Sequence, residues 1–246
     1  MIRSSHRRRL NRAIRHLDGL LFYWPFDELS GDAINQAPNT LGTLAGTVDG
    51  ATQGEVGVKG MAYDFDGNDD VEVVDNASLS PSTTGAFSVS FLMAPSVLVY
   101  SDSTGSLPEG PYVNFLGKGV ANQHEWTFRI HDETGTKANM VSFYVWPLVG
   151  TGGKSADITS IPIVINDWLH IVGTYDGTNV YIYRNGVFKD STDVTSITME
   201  DGTASLKIGT RNDDSFFEGK IQHVAIFDRV LSAAQILSLA KITKLA

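Results

Sequence analysis

The sharpest alternation of apolar and polar positions lies between Trp168 and Asp190. Its β-branched and aromatic runs are broken only at Asp176-Gly177-Thr178-Asn179 and at Asn185-Gly186, which predicts three strands joined by two tight turns. Leu169, Ile171, Gly173 and Tyr175 share one face of the first strand, and on the second Val180 and Ile182 oppose Tyr181 and Tyr183. Gly177 and Gly186 supply the positive φ such turns need, while Asp176, Asn179 and Asn185 tolerate or cap it. A meander of this kind cannot stand alone. The rest of the chain is expected to supply a second sheet that covers its apolar face.

Further strands are read in order along the chain. A first strand from Leu20 ends in Pro25, which marks an edge or a bulge, a Gly- and Asn-rich passage from Ser30 to Gly60 follows, and Met61–Val74 is a strand pair turning at Asp66-Gly67-Asn68. Phe87, Val89, Phe91 and Met93 alternate with Ser88, Ser90 and Leu92, so one face of that strand is buried. Residues 96–113 and 150–160 read as long polar loops, and Val113–Lys118, Glu125–His131, Val141–Trp146, Ser205–Gly209 and Gly219–Phe227 as strands. The count is about twelve strands, without internal repeats or a linker.

Helices are expected only near the ends. From Ser5 to Leu17 the apolar residues Leu10, Ala13, Ile14 and Leu17 fall at i, i+3, i+4 and i+7, with arginines on the other faces, which predicts an amphipathic helix that orders against a partner or against the body. At the other end Ser232 caps a helix, Gln235 completes a capping box, and Leu231 with Ile236 forms a hydrophobic staple. The division expected is therefore a basic arm over residues 1–19 and one all-β domain over residues 20–246.

Charge sharpens that division. The chain of 246 residues carries a net charge of −9, yet its first 16 residues hold six of the 19 bases and no acid, leaving 13 bases against 28 acids in the rest. An acidic body is a poor nucleic-acid binder, whereas the short arm suits an acidic protein groove, nucleic acid or an anionic surface. No cysteine is present, which excludes a disulfide scaffold and Cys-ligated metal sites. No run of 18 apolar residues predicts a membrane span, and no secretory leader is expected because no apolar core follows the basic stretch.

The segments Leu21-Phe22-Tyr23-Trp24-Pro25-Phe26-Asp27-Glu28, Asp64-Phe65-Asp66-Gly67-Asn68-Asp69-Asp70-Val71, Phe87-Ser88-Val89-Ser90, Trp168-Leu169-His170-Ile171, Thr174-Tyr175-Asp176-Gly177, Tyr183-Arg184-Asn185-Gly186, Ile208-Gly209 and Gly219-Lys220-Ile221, followed by Phe227-Asp228-Arg229-Val230-Leu231-Ser232, occur in one fixed order. In that order the chain resembles the laminin G-like, concanavalin A-like jelly-roll domains over about residues 20 to 240. The resemblance implies an all-β sandwich of two antiparallel sheets, one of them concave, with loops along one rim. Members are most often sugar- or protein-binding modules, frequently with one calcium ion, and the same jelly roll also carries glycosidases.

The resemblance sets three expectations about chemistry. Its enzymes carry Glu-x-Asp-x-x-Glu on one strand, but here the acid-bearing strand has Arg129 and His131 where acids are needed, so no enzyme is expected. Asp66 and Asp70, in a turn crowded with carboxylates, are the expected calcium ligands, although Gln222-His223 replaces a usual Asp-Glu on the last strand. Tyr112, Trp126, Arg129, Tyr144 and Trp146, on strands next to the long loops, are the expected ligand-binding residues.

The function expected is a non-catalytic binding or adhesion module that recognises glycans or a host surface through its rim loops. It would be a tail, fibre or capsid-associated component at the virion surface of a bacteriophage, as a homo-oligomer or bound in an assembly. Arg7, Arg8, Leu10, Arg12, Ile14 and Leu17 of the N-terminal helix would anchor it to other structural proteins. The alternative is a glycan-active enzyme or carbohydrate-binding accessory domain of a secreted bacterial protein, at the cell surface.

Overall fold

A computed structural model of the chain describes residues 2–245 apart from 101–102, 106–108, 122, 149–151, 160–161, 196–197, 212 and 244, and gives the backbone alone for 2–8 and 82. The chain begins with helix α1 (Ile2–Arg15) and strand β1 (Leu20–Trp24). Strands β2 (Thr47–Asp49), β3 (Thr52–Gly57), β4 (Gly60–Asp66) and β5 (Asp70–Val73) follow, then a 3-10 turn (Ala77–Leu79) and the single-turn helix α2 (Pro81–Thr84). The middle of the chain forms β6 (Phe87–Pro95), β7 (Tyr112–Val120), β8 (Gln123–His131), β9 (Val141–Val145) and β10 (Lys154–Ile158). It closes with β11 (Leu169–Tyr175), β12 (Asn179–Arg184), β13 (Val187–Asp193), β14 (Leu206–Ile208), β15 (Glu218–Phe227) and helix α3 (Ala233–Thr243).

Two antiparallel sheets result, as the jelly-roll expectation required. One has eight strands in the order β13-β12-β11-β6-β15-β4-β3, with β1 paired to β15, and the other has seven in the order β10-β9-β8-β7-β14-β5-β2. The meander falls where its turns placed it, with Asn185 at φ 52° and Gly186 at φ 82°, and the Asp176 carboxylate accepting from the N–H groups of Thr178 and Asn179 at 2.8 and 2.7 Å. Pro25 lies just beyond β1, whose registered pairing is to β15 alone. The polar stretch 150–160, expected as a loop, contains β10 instead: alternate residues Ala156 and Ile158 are buried, and the whole strand pairs with β9. Short strands β2 and β3 likewise arise inside the Gly- and Asn-rich passage, which raises the total above the expected twelve.

The core lies between the sheets. Phe87, Val89, Phe91 and Met93 of β6 meet Trp126, Phe128 and Ile130 of β8 and Phe143 and Val145 of β9 there. Gly173 is the gap that lets the sheets approach, since a Cβ at that position would stand 2.6 Å from the Phe128 ring and 2.7 Å from the Phe143 ring. Contrary to the alternation read from sequence, β6 is buried on both faces. Leu92 packs outward in a second apolar cluster, and Ser88 and Ser90 satisfy their hydroxyls on the Arg229 carbonyl at 2.7 Å and with the His170 Nε2 at 3.0 Å.

That second cluster explains the helices. Leu10 and Ile14 of α1 are each only 2% exposed, and they pack with Leu92, Val172, Ala225, Leu231, Ile236 and Leu239, while Leu17 packs against its edge. Asn11 on α1 accepts from the Tyr23 hydroxyl at 2.8 Å, and that hydroxyl also shares a 2.6 Å bond with the His223 ring. The capping box of α3 is formed as its sequence predicted: Ser232 N–H donates to Gln235 Oε1 at 3.0 Å and Gln235 N–H to Ser232 Oγ at 3.3 Å. The outer face of the eight-stranded sheet is thus covered by α1 and α3. No helix among the described residues is long and apolar enough to cross a membrane.

Candidate functional site

The seven-stranded sheet turns a polar face outward. On β8 the two-residue period sends Trp126, Phe128 and Ile130 into the core and Thr127, Arg129 and His131 the other way, while a bulge at Glu125 turns its carboxylate to Lys118, whose registered partner is Trp126. Register then assembles a site: Arg129 lies opposite Asn114 of β7 and Ser142 of β9, Thr127 opposite Tyr144, and His131 opposite Tyr112. The result is a stack around one guanidinium. Arg129 Cζ stands 4.0 Å from the centre of the Tyr112 ring, 4.2 Å from Tyr144 and 5.1 Å from Trp146. The Tyr144 and Trp146 rings stack on each other at 5.4 Å.

Four of the five residues expected to bind ligand therefore meet in one place, and Trp126 does not. It is fully buried on the opposite face, where its indole N–H donates to the Leu79 carbonyl at 2.9 Å and its ring packs on Phe87 and Phe128. A second correction concerns Tyr144 and Trp146, which are only 5% and 7% exposed. Packed on each other, on Arg129 and, for Trp146, under Gly153, they are supports for the cation rather than open platforms.

Other polar groups ring the stack. Arg129 Nε–H donates to Asn114 Oδ1 at 3.0 Å, while Asn114 Nδ2 is buried and has no hydrogen-bond partner among the described residues. Arg211, from the segment after β14, brings its guanidinium 5.3 Å from the Trp146 ring centre. Burial first, and then the charge of Arg129, pull its pKa down to about 10. Burial, with nearby cations second, also holds His124 at about 4 and His131 at about 3, so both are neutral at pH 7. Lys137 donates to the Tyr144 hydroxyl at 2.7 Å and pairs with Asp157 at 3.2 Å; these partners outweigh its burial and raise its pKa.

Asn114, Lys137 and Arg211 were not read from the sequence as site residues. Asn114 did leave a signal, since it is the polar member of the run Tyr112-Val113-Asn114-Phe115. Arg211 begins a loop whose acidic residues conceal it.

The carboxylates on the same sheet are committed elsewhere. Glu125, fully buried, is ion-paired with Lys118, whose ammonium also reaches Asp75 at 2.9 Å and the Gly202 carbonyl at 2.7 Å. Asp70, an expected calcium ligand, pairs with Lys207 at 3.0 Å. The Asp66 N–H donates to Asp69 at 3.0 Å, and the Asn68 amide bridges the Asp66 and Asp69 carboxylates at 3.0 Å each. Among the described residues no three His, Asp or Glu side chains converge as a metal cluster would. Gln222 and His223, where the family pattern has acids, serve the backbone: Gln222 Oε1 accepts from Val58 N–H at 2.7 Å, and the His223 ring bonds the Lys59 carbonyl at 3.0 Å.

The anchoring residues are also redistributed. Leu10, Ile14 and Leu17 face the body of the same chain and present no free apolar stripe to a partner, while Arg12 stays exposed. The side chains of Arg7 and Arg8 lie outside the described residues.

A family model described as the concanavalin A-like lectin/glucanases superfamily matches residues 65–237. The chain belongs to that superfamily. A comparison with curated proteins found no match. Among solved structures, this superfamily member is similar to domain 4 of AbnA, a GH43 extracellular arabinanase from Geobacillus stearothermophilus in complex with arabinotriose (TM-score 0.62, 22% identity, 90% of this chain and 98% of that one). It is also similar to the binding domain of botulinum neurotoxin serotype C1 (0.67, 15%, 96% and 53%) and to that of Paraclostridial Mosquitocidal Protein 1 (0.67, 17%, 91% and 52%). It spans about half the length of those two toxin chains. At these identities the likeness establishes the fold.

Proposed function

We propose that this chain is a non-catalytic glycan-binding module whose ligand face is the outward surface of its seven-stranded sheet. One observation carries the reading: the aromatic–arginine stack of Tyr112, Arg129, Tyr144 and Trp146 lies on that face, while α1 and α3 cover the outer face of the other sheet. Rings holding a planar donor are suited to a sugar's mixed polar and apolar surface. A relative of the same fold, domain 4 of the arabinanase, is seen with arabinotriose, which supports the same ligand class here. Catalysis is disfavoured by the sheet's own chemistry. Glycoside hydrolysis needs two carboxyl groups flanking the bond, whereas the outward residues of β8 are a threonine, an arginine and a histidine, and Glu125 is buried against Lys118.

The test is retention of the labelled protein on an array of neutral and acidic glycans, followed by titration of the best ligand against Tyr112→Ala. Saturable binding that this variant weakens at least tenfold is expected. Absence of binding to any glycan, with the protein folded, would end the proposal.

A further inference from the structure

We infer that the glycan bound on this face is acidic, its carboxylate or sulfate ester held edge-on by Arg129; the inference rests on the glycan-binding reading above. The guanidinium's faces are already taken, by Tyr112 at 4.0 Å and Tyr144 at 4.2 Å. What remains available is its rim of donors. Of the five N–H groups of an arginine, Nε–H is given to Asn114, and the terminal nitrogens have no acceptor among the described residues. Such a planar fork, fixed between rings and half-buried, matches the two oxygens of an oxyanion.

Lys118, Lys137, Lys207 and Lys220 each have at least one carboxylate within ion-pairing distance, in a protein with 28 acids. Arg129 has none among the described residues. The same Asn114 amide that accepts from Arg129 is buried, which fixes the orientation of the guanidinium. A neutral sugar bound by stacking is the weaker reading, because Tyr144 and Trp146 are turned into the stack and almost fully buried.

The probes are oligogalacturonate and its methyl ester, which differ in charge alone, with sialyllactose, a sulfated oligosaccharide and neutral arabinotriose beside them. Binding to the full chain is measured by calorimetry. At least one acidic ligand is expected to bind, and at least tenfold more tightly than the neutral arms. If oligogalacturonate is that ligand, methyl esterification should cost the same factor. Preference among the acidic arms then tells carboxylate from sulfate. Arg129→Met should lose at least tenfold, and Arg129→Lys, which keeps the charge without the fork, should lose part of it, each with a melting curve like the parent's. Arg129→Lys serves alone if the methionine variant does not fold. Equal affinity for acidic and neutral arms, or variants that bind as the parent does, would overturn the inference and leave the glycan reading standing. Failure of every arm to bind would remove both.

Discussion

Lys118→Met should be among the most damaging single substitutions in the molecule, and by an amount that depends on pH. Lys118 and Glu125 are both fully buried, and the ammonium holds the Glu125 carboxylate, Asp75 and the Gly202 carbonyl together. Removing the ammonium leaves a carboxylate with no exposed surface and no counter-ion, and breaking a buried pair from one side costs about 3–5 kcal/mol. The carboxylate has one escape, which is to take up a proton. Burial already raises its pKa above the ordinary value of 4.5, and the methionine variant removes the chief opposing influence. Protonating a group of pKa 4.5 costs about 3.4 kcal/mol at pH 7 and about 0.7 kcal/mol at pH 5, at 1.36 kcal/mol per unit.

The loss measured by urea denaturation should therefore be about 3–5 kcal/mol at pH 7 and shrink by about 2–3 kcal/mol at pH 5. Replacing both partners, as Lys118→Met with Glu125→Met, should recover most of it, because the cost belongs to the stranded charge. A single variant that loses less than about 1 kcal/mol at pH 7, or whose loss is the same at both pH values, would refute the reasoning.

Three further outcomes are expected. His170, held near pKa 4 by burial and by His223, and His131, held near 3 by burial and nearby cations, are neutral in the fold but protonate near 6.5 when unfolded. Their contribution, with that of His124 held near 4 by burial and by Arg211 and Arg129, is thus complete above pH 6.5 and lost as pH falls toward 4, with a slope of about 3–4 kcal/mol per pH unit near pH 5.5; denaturation of His170→Gln between pH 5 and 7 should lower that slope by roughly a third. Carboxylates with raised pKa, such as Asp70, act in the opposite sense nearer their own range. Gly173→Ala should destabilise by about 1–3 kcal/mol through overpacking against Phe128 and Phe143, read as a lower melting temperature with unchanged far-ultraviolet dichroism. Leu10→Ala with Ile14→Ala should each cost about 2–5 kcal/mol if α1 is part of the folded body, and wild-type stability in both would show that the helix does not dock.

Much of the fold was legible because its signals are local. The turns at Asp176-Gly177 and Asn185-Gly186 and the capping box at Ser232 need only neighbouring residues to act, and each formed as read. Strand β10 was missed because Lys154-Ser155-Ala156-Asp157-Ile158 has little apolar content, and its strand character comes from pairing with β9. The site was legible in part. Parity alone distinguishes Trp126 from Arg129, since residues three apart on a strand face opposite ways, and that period was already in the sequence. No local pattern joins Asp70 to Lys207, 137 positions away, so this pairing was not legible in the sequence. Nor does an amphipathic stripe name its partner, which is why Leu10 and Ile14 suggested an external assembly when their surface lay on the same chain.

The two outer faces of the sandwich have opposite chemistry. The eight-stranded sheet presents Leu92, Val172 and Ala225 outward, an apolar surface that water disfavours, and two amphipathic helices cover it. The seven-stranded sheet presents Arg129, Tyr144, Ser142 and Lys207, whose polar ends need hydrogen bonds more than cover. Two of these are satisfied internally: Lys207 by Asp70 and Asp213, and the Tyr144 hydroxyl by Lys137. Arg129 keeps its terminal donors between aromatic rings. On this face that planar fork is a cation available to a ligand's oxyanion.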